Sequence, residues 1–142
     1  MVDKFTKETR SYVMSQIKGK DTKPEIIVRK YLFSKGLRFR KNDKRYPGSP
    51  DIVLPKYKTV VFVHGCFWHL HDGCKHAVMP KSNVDYWKKK LYGNKERDKR
   101  NQEKLEEMGW NVIIVWECQL KKDKREQTLG KLYEQIVSAV IE

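Results

Sequence analysis

The chain has 142 residues and a formal charge of +13, with 31 Lys and Arg against 18 Asp and Glu. That length suits one domain with a single sizeable core, and the charge points to an anionic partner: nucleic acid, an acidic membrane or an RNA-rich assembly. No apolar stretch approaches the ~20 residues that span a bilayer, and the N-terminus lacks the apolar core of a secretory signal. A cytoplasmic protein is expected, with Cys66, Cys74 and Cys118 reduced; an odd thiol count also argues against a closed disulfide framework.

Much of the charge lies early, since residues 1–50 hold fourteen Lys and Arg against five Asp and Glu. Residues 1–21 are polar and basic with weak periodicity, which predicts an arm or a short helix outside the core. Thr22-Lys23-Pro24-Glu25 is a helix start, with a Thr cap, Pro in the first turn and Glu three residues after the cap. Ile26, Ile27, Tyr31 and Leu32 supply its apolar face and Gly36 its end. Leu37 to Lys41 is a candidate strand, followed by a turn-rich stretch to Pro50. Asp51-Ile52-Val53-Leu54 predicts a short strand stopped by Pro55. Thr59 to His64 predicts a second strand, whose unbroken apolar run implies burial on both faces. Ser82-Asn83-Val84-Asp85 resembles a capping box leading into a helix with Trp87 and Leu91, and Gly93-Asn94 interrupts the pattern. Lys95 to Lys104 holds no apolar residue, so its helix would be exposed or site-lining. Asn111 to Trp116 predicts a third buried strand, and Leu129, Leu132, Tyr133, Ile136 and Val140 mark a C-terminal amphipathic helix. The expectation is one α/β domain over residues 1–142 with a central mixed sheet: an arm (1–21), a core (22–122) and a C-terminal helix (123–142).

Cys66-Phe67-Trp68-His69-Leu70-His71-Asp72-Gly73-Cys74 follows the second strand directly. Cys66, Cys74 and Cys118 all stand at or just beyond strand ends, where one histidine of the loop would complete a tetrahedral Cys₃His zinc site. Free cysteines are often small core residues, which suits Cys118 alone but not a pair in a loop rich in His, Asp and Gly. Spacing leaves His69, His71 and His76 open as the fourth ligand. A closed site of this kind braces a loop and has no open position for chemistry.

Catalytic candidates lie beside it. Nucleases of the restriction-enzyme fold hold magnesium with an Asp at a strand start, as Asp51 is, and an oxygen from the neighbouring strand. Alone, an Asp after Pro is usually a turn residue. His64 and His69 flank the aromatic pair, and either suits a general base. Asp98 could orient an imidazole, although a charge run such as Glu96-Arg97-Asp98-Lys99-Arg100 is more often a solvated helix face. Phe67, Trp68 and Trp87 stand beside cations, as base-stacking or wedging aromatics do. Trp110 and Trp116 are assigned to the core.

These residues carry a resemblance. Met14, Asp21-Thr22, Glu25, Gly36-Leu37-x-Phe39-Arg40, Pro47-Gly48-x-Pro50-Asp51, Phe62-x-His64-Gly65-Cys66-Phe67-Trp68-His69-x-His71-Asp72, Glu96-Arg97-Asp98-x-Arg100 and Gly109-Trp110-x-Val112-x-x-Val115-Trp116-Glu117-Cys118 run in collinear order from about Arg10 to Lys122. The chain resembles the very-short-patch-repair endonucleases, bacterial enzymes that nick DNA beside T·G mismatches. The resemblance implies a restriction-endonuclease-like core with flanking helices. It implies magnesium on Asp51 and the Val63 carbonyl, His69 acting on the attacking water, His64 and Asp98 in the same site, and Glu25 reaching the metal through water. It implies zinc on Cys66, His71, Cys74 and Cys118. Phe67, Trp68 and Trp87 would wedge into DNA with Met14 assisting, and Lys90 and Asn94 would contact the mismatch.

In two places the chain departs from the family's pattern: Gly73 lengthens the zinc loop by one residue, and Val63 replaces a Thr. The implied activity is a magnesium-dependent, strand-specific nick 5′ of the T in T·G mismatches left by 5-methylcytosine deamination. It would act as a monomer on double-stranded DNA at the bacterial nucleoid, with no membrane partner and with repair-pathway proteins downstream. The rivals are a related nuclease of relaxed or different site preference and a catalytically silent zinc-stabilised DNA-binding module.

Overall fold

A computed structural model of the chain describes residues 22–139. The basic arm, including Met14, lies outside the described residues. Helix α1 spans Lys23–Ser34, with the Thr22 hydroxyl accepting from the Glu25 amide at 3.5 Å and Pro24 in the first turn. It ends where Gly36 takes φ +86° and the Leu37 amide bonds back to the Leu32 carbonyl at 3.1 Å. Only glycine takes up that left-handed backbone without strain.

Four strands follow in spatial order: β1 (Arg40–Lys41), β2 (Ile52–Leu54), β3 (Thr59–His64) and β4 (Asn111–Trp116). The first two pairings are antiparallel and β3–β4 is parallel, which makes the sheet mixed. A parallel neighbour needs a long crossover, and helix α2 (Val84–Glu107) lies within it. Helix α3 (Arg125–Val137) closes the described chain.

Strands β2 and β3 are buried throughout, as the unbroken apolar runs require. Strand β4, at the end of the strand order, buries only Ile113 and Val115 and so falls short of the third buried strand expected. Ile52, Leu54, Val61, Val63, Ile113 and Val115 point toward α1 and α3, where Val28, Leu32, Leu129, Leu132 and Ile136 complete the larger core. Val53, Val60 and Phe62 point the other way and meet Leu105 of α2, with Val112 and Ile114 beside them. Strand side chains alternate, so His64 and Trp116 continue the α2 face.

Three further local expectations are corrected. The Leu37–Lys41 strand shrinks to Arg40–Lys41. The capping box at Ser82–Asp85 does not form: Asn83 is the cap residue in a left-handed conformation, φ 54°, with no side-chain cap bond. Gly93-Asn94 does not break the helix, which runs unbroken for 24 residues. An interior glycine costs only about 1 kcal/mol, and buried Leu91 and Leu105 hold α2 on either side of it.

Candidate active site and metal cluster

His64 and Trp116 are register partners at the ends of β3 and β4. The loop after β3 winds tightly, with the His69 amide bonded to the Gly65 carbonyl at 3.1 Å and the His71 amide to the Cys66 carbonyl at 3.0 Å. Leu70 between them takes φ +47°. That path lays the His69 ring over His64, with centroids 3.8 Å apart and planes at 2°. From α2, Asp98 Oδ2 reaches His69 Nδ1 at 2.5 Å. Nitrogen and oxygen atoms of His64, His69 and Asp98 all come within 4.8 Å of one another. Burial, with the neighbouring His69 adding to it, depresses the His64 imidazole to a pKa of about 4 despite Asp98. His64 is therefore neutral at pH 7.

Asp98 reaches this position because α2 carries it there. It lies seven residues after Leu91 and seven before Leu105, two turns from each. The three share one inward stripe, and Asp98 is half-buried rather than on a solvated face.

Asp51 stands at the mouth of β2, and its Oδ2 accepts from the Val63 amide across the sheet at 2.6 Å. In an extended strand the N–H and C=O of one residue project to the same edge. The Val63 carbonyl therefore faces the side from which Asp51 approaches. Buried Glu25 of α1, with Arg29 at 3.3 Å, adds a second acidic group nearby. Burial chiefly, and the charge of Glu25 next, lift the Asp51 carboxyl from 3.8 to about 7. The Val63 amide, His69 and Arg29 pull in the opposite direction. A carboxylate so poorly solvated and beside another acid suits a hard divalent cation.

Cys66, His71, Cys74 and Cys118 bring one donor atom each within 4.8 Å of one another. A tetrahedral zinc with Zn–S of about 2.3 Å and Zn–N of about 2.0 Å needs donors roughly 3.5–3.8 Å apart. His71 Nδ1 and Cys118 Sγ, at 3.5 Å, already meet that spacing. The group could therefore hold a metal ion. Of the three histidines that spacing leaves open, His71 joins the thiols, His69 turns to Asp98, and His76 is exposed. Gly73 takes φ +70° with open space around it, and His71 and Cys74 on either side of it lie in one cluster. Burial pushes the Cys66 thiol up to about 12, whereas the His76 amide bonded to Cys74 lowers that thiol.

Phe67, Trp68 and Trp87 pack as a half-buried trio with centroids 5.1, 5.5 and 5.9 Å apart. Exposed Tyr86 adds a fourth ring, 5.1 Å from Trp87. Asn94 Nδ2 donates to the Trp68 carbonyl at 3.1 Å, so it ties the loop to α2. Lys95 reinforces that tie with a 2.6 Å bond to Asp72, while Lys90 is exposed on the same helix.

Trp116 corrects the sequence reading. It is half-buried rather than core, stacked on His71 at 4.0 Å and edge-on to His64 at 5.2 Å. Nothing in the sequence gives the strand register that brings it there.

The sequence profile described as DNA mismatch endonuclease Vsr matches residues 2–76, just over half of the chain. A type II nicking enzyme of Neisseria meningitidis, V.NmeAIP, is 55% identical over 141 residues, which is 99% of this chain and 100% of that protein. The type II nicking enzyme V.XorIIP of Xanthomonas oryzae pv. oryzae is 48% identical over 120 residues, 84% of this chain and 88% of its own length. The DNA mismatch endonuclease Vsr of Escherichia coli is 43% identical over 121 residues, 85% of this chain and 77% of that protein.

Proposed function

Because the chain belongs to the Vsr family of DNA mismatch endonucleases, a family that hydrolyses DNA phosphodiester bonds, we propose that its substrate is double-stranded DNA with a T·G mismatch. The nick falls 5′ of the T left by 5-methylcytosine deamination, on that strand alone, and opens very short patch repair. The protein acts as a monomer in the bacterial cytoplasm, at the nucleoid, and hands the nick to repair-pathway proteins. Its core is of the restriction-endonuclease type.

The observation that carries this reading is the Asp51 carboxylate, half-buried beside buried Glu25 and turned toward the Val63 backbone. Asp51 and the Val63 carbonyl hold magnesium, with Glu25 acting through water. When bound, magnesium offsets charge on the scissile phosphate and acidifies water. His69 is the base: Asp98 on Nδ1 fixes the tautomer and leaves Nε2 to take the proton from the attacking water. Neutral His64 supports that ring from beneath without repelling the charge it gains. Zinc on Cys66, His71, Cys74 and Cys118 braces the loop and takes no part in the hydrolysis. Phe67, Trp68 and Trp87 wedge beside the mismatch, Lys90 and Asn94 contact it, and Met14 on the arm assists.

The test is a nicking assay with strand-labelled duplexes, matched and T·G, with randomised flanks and magnesium. Cleavage of the T strand in T·G duplexes alone supports the reading. Equal cleavage of matched duplexes favours a related nuclease of relaxed or different site preference, a reading prompted by relatives named type II nicking enzymes. Cleavage of neither leaves a silent DNA-binding module.

A further inference from the structure

The loop after β3 lays one ring on each of two cross-strand partners. His69 covers His64 at 3.8 Å and 2°, and His71 covers Trp116 at 4.0 Å and 5°. His64 and Trp116 leave the sheet on the same side because they pair in register, and their rings meet edge-on at 5.2 Å and 73°. Four rings thus form one contiguous block. Its two loop members answer to different partners: Nδ1 of His69 meets Asp98, and Nδ1 of His71 meets Cys118 Sγ.

Trp116 therefore touches both the histidine of the thiol cluster and a histidine of the Asp98 group. Its own backbone is fixed as well, since its amide donates to Gln119 Oε1 at 2.9 Å. Cys118, two residues further on, belongs to the cluster. The indole cannot tilt without losing the stack on His71 or the edge contact with His64. Resting on the nuclease reading above, we infer that Trp116 is a positioning residue that transmits the order of the Cys66–His71–Cys74–Cys118 site to the His64–His69 pair.

Ring stacking alone is a weak and laterally permissive interaction. His69 over His64 would slide by more than proton transfer tolerates unless His64 were held from the side. Trp116 supplies that wall, and His71, anchored among the thiols, holds the wall upright. If Trp116 only filled space, its loss would lower stability and metal retention along with turnover. As a positioning residue it governs turnover, while DNA affinity and metal content stay as they are.

The experiment uses the full-length, zinc-loaded protein and single-turnover nicking of a T·G duplex. Trp116→Leu should slow the step by ~10- to 100-fold, with DNA affinity, zinc content and melting temperature close to wild type. Trp116→Phe should restore most of the rate. His71→Cys keeps a metal-binding side chain but removes the ring stacked on the indole, and it should hold zinc yet lose rate like Trp116→Leu. Wild-type turnover in zinc-loaded Trp116→Leu, or in His71→Cys if the first does not fold, overturns the inference. His69→Ala checks the reading beneath it, since undiminished nicking by that variant removes His69 as the base rather than the coupling of the two sites. Proton NMR reads the coupling without any nicking. Chelating zinc should shift the His64 and His69 ring signals in wild type, and much less in Trp116→Leu. Signals indifferent to chelation in wild type sink the inference.

Discussion

Asp98 Oδ2 and His69 Nδ1 lie 2.5 Å apart although 29 residues separate them, one on the inner stripe of α2 and the other in the loop after β3. The bond fixes which nitrogen of His69 faces the open side. In Asp98→Asn the amide can present either a donor or an acceptor, so the ring loses its fixed tautomer. Nicking should fall by about 100-fold or more, with DNA affinity within a few-fold of wild type. Single-turnover rates beside a filter-binding isotherm decide it; a parallel loss of affinity would mean that Asp98 serves binding.

Asp51→Asn should abolish nicking, and it should also stabilise the metal-free protein at neutral pH. The folded carboxyl is raised from 3.8 to about 7, so the native state holds a proton that the unfolded chain releases. The stability tied to that proton is complete below about pH 3.8 and drains away as pH rises through about 7. Removing the titration should therefore gain up to roughly 4 kcal/mol at high pH and nothing below pH 4. Urea melts in EDTA from pH 4 to 9 test the sign; a variant less stable than wild type at pH 8 refutes it.

Cys74→Ala should release zinc and lower the melting temperature. For a site held near a thousandfold excess of free metal over Kd, the lost linkage is about 4 kcal/mol, or roughly 8–16 °C for a chain of this size. Chelation of wild type should produce a fall of similar size. Metal analysis beside calorimetry reads both, and unchanged values in the variant would end the assignment.

Trp68→Ala should blunt the preference for mismatched over paired duplex. Aromatic stacking on a base contributes about 1–3 kcal/mol, so the ratio of the two rates should drop by ~5- to 100-fold. An unaltered ratio removes the wedge. Asn94→Ala, which frees the Trp68 carbonyl from α2, should move the ratio in the same direction.

Gly48 takes φ +77° in the turn that delivers Asp51, and an added Cβ would stand 3.1 Å from Asn101 Cβ and 3.2 Å from Phe62 Cε1. Gly48→Ala should destabilise by roughly 1–3 kcal/mol through backbone strain and overpacking. Nicking should fall too, because the turn must shift. A melting temperature equal to wild type would contradict this.

The sheet interior was legible in the sequence because Val60–Val63 and Val112–Val115 are apolar without alternation, and both strands form at the residues that pattern marks out. Helix α2 was harder. Gly93-Asn94 reads as a break by local propensity, but packing of Leu91 and Leu105 overrides it. The seven-residue spacing Leu91–Asp98–Leu105 did carry the signal that Asp98 faces inward, once the helix is taken as continuous. For the fourth sulfur-cluster partner, spacing left three histidines open. Tight turns and a positive φ at Leu70, which no composition rule specifies, bring His71 to the thiols and aim His69 elsewhere. Trp116 was hidden for a related reason. Its neighbours depend on strand register, a long-range property that a hydrophobic run does not encode.

One extra residue in β3 would leave its hydrophobicity untouched and still swing the imidazole of His64 through the sheet, into the layer occupied by α1 and α3. Substitutions at Val60 or Val61 would be comparatively mild. Natural variants of this chain should therefore tolerate exchanged aliphatic residues along β3 while indels gather in surface turns.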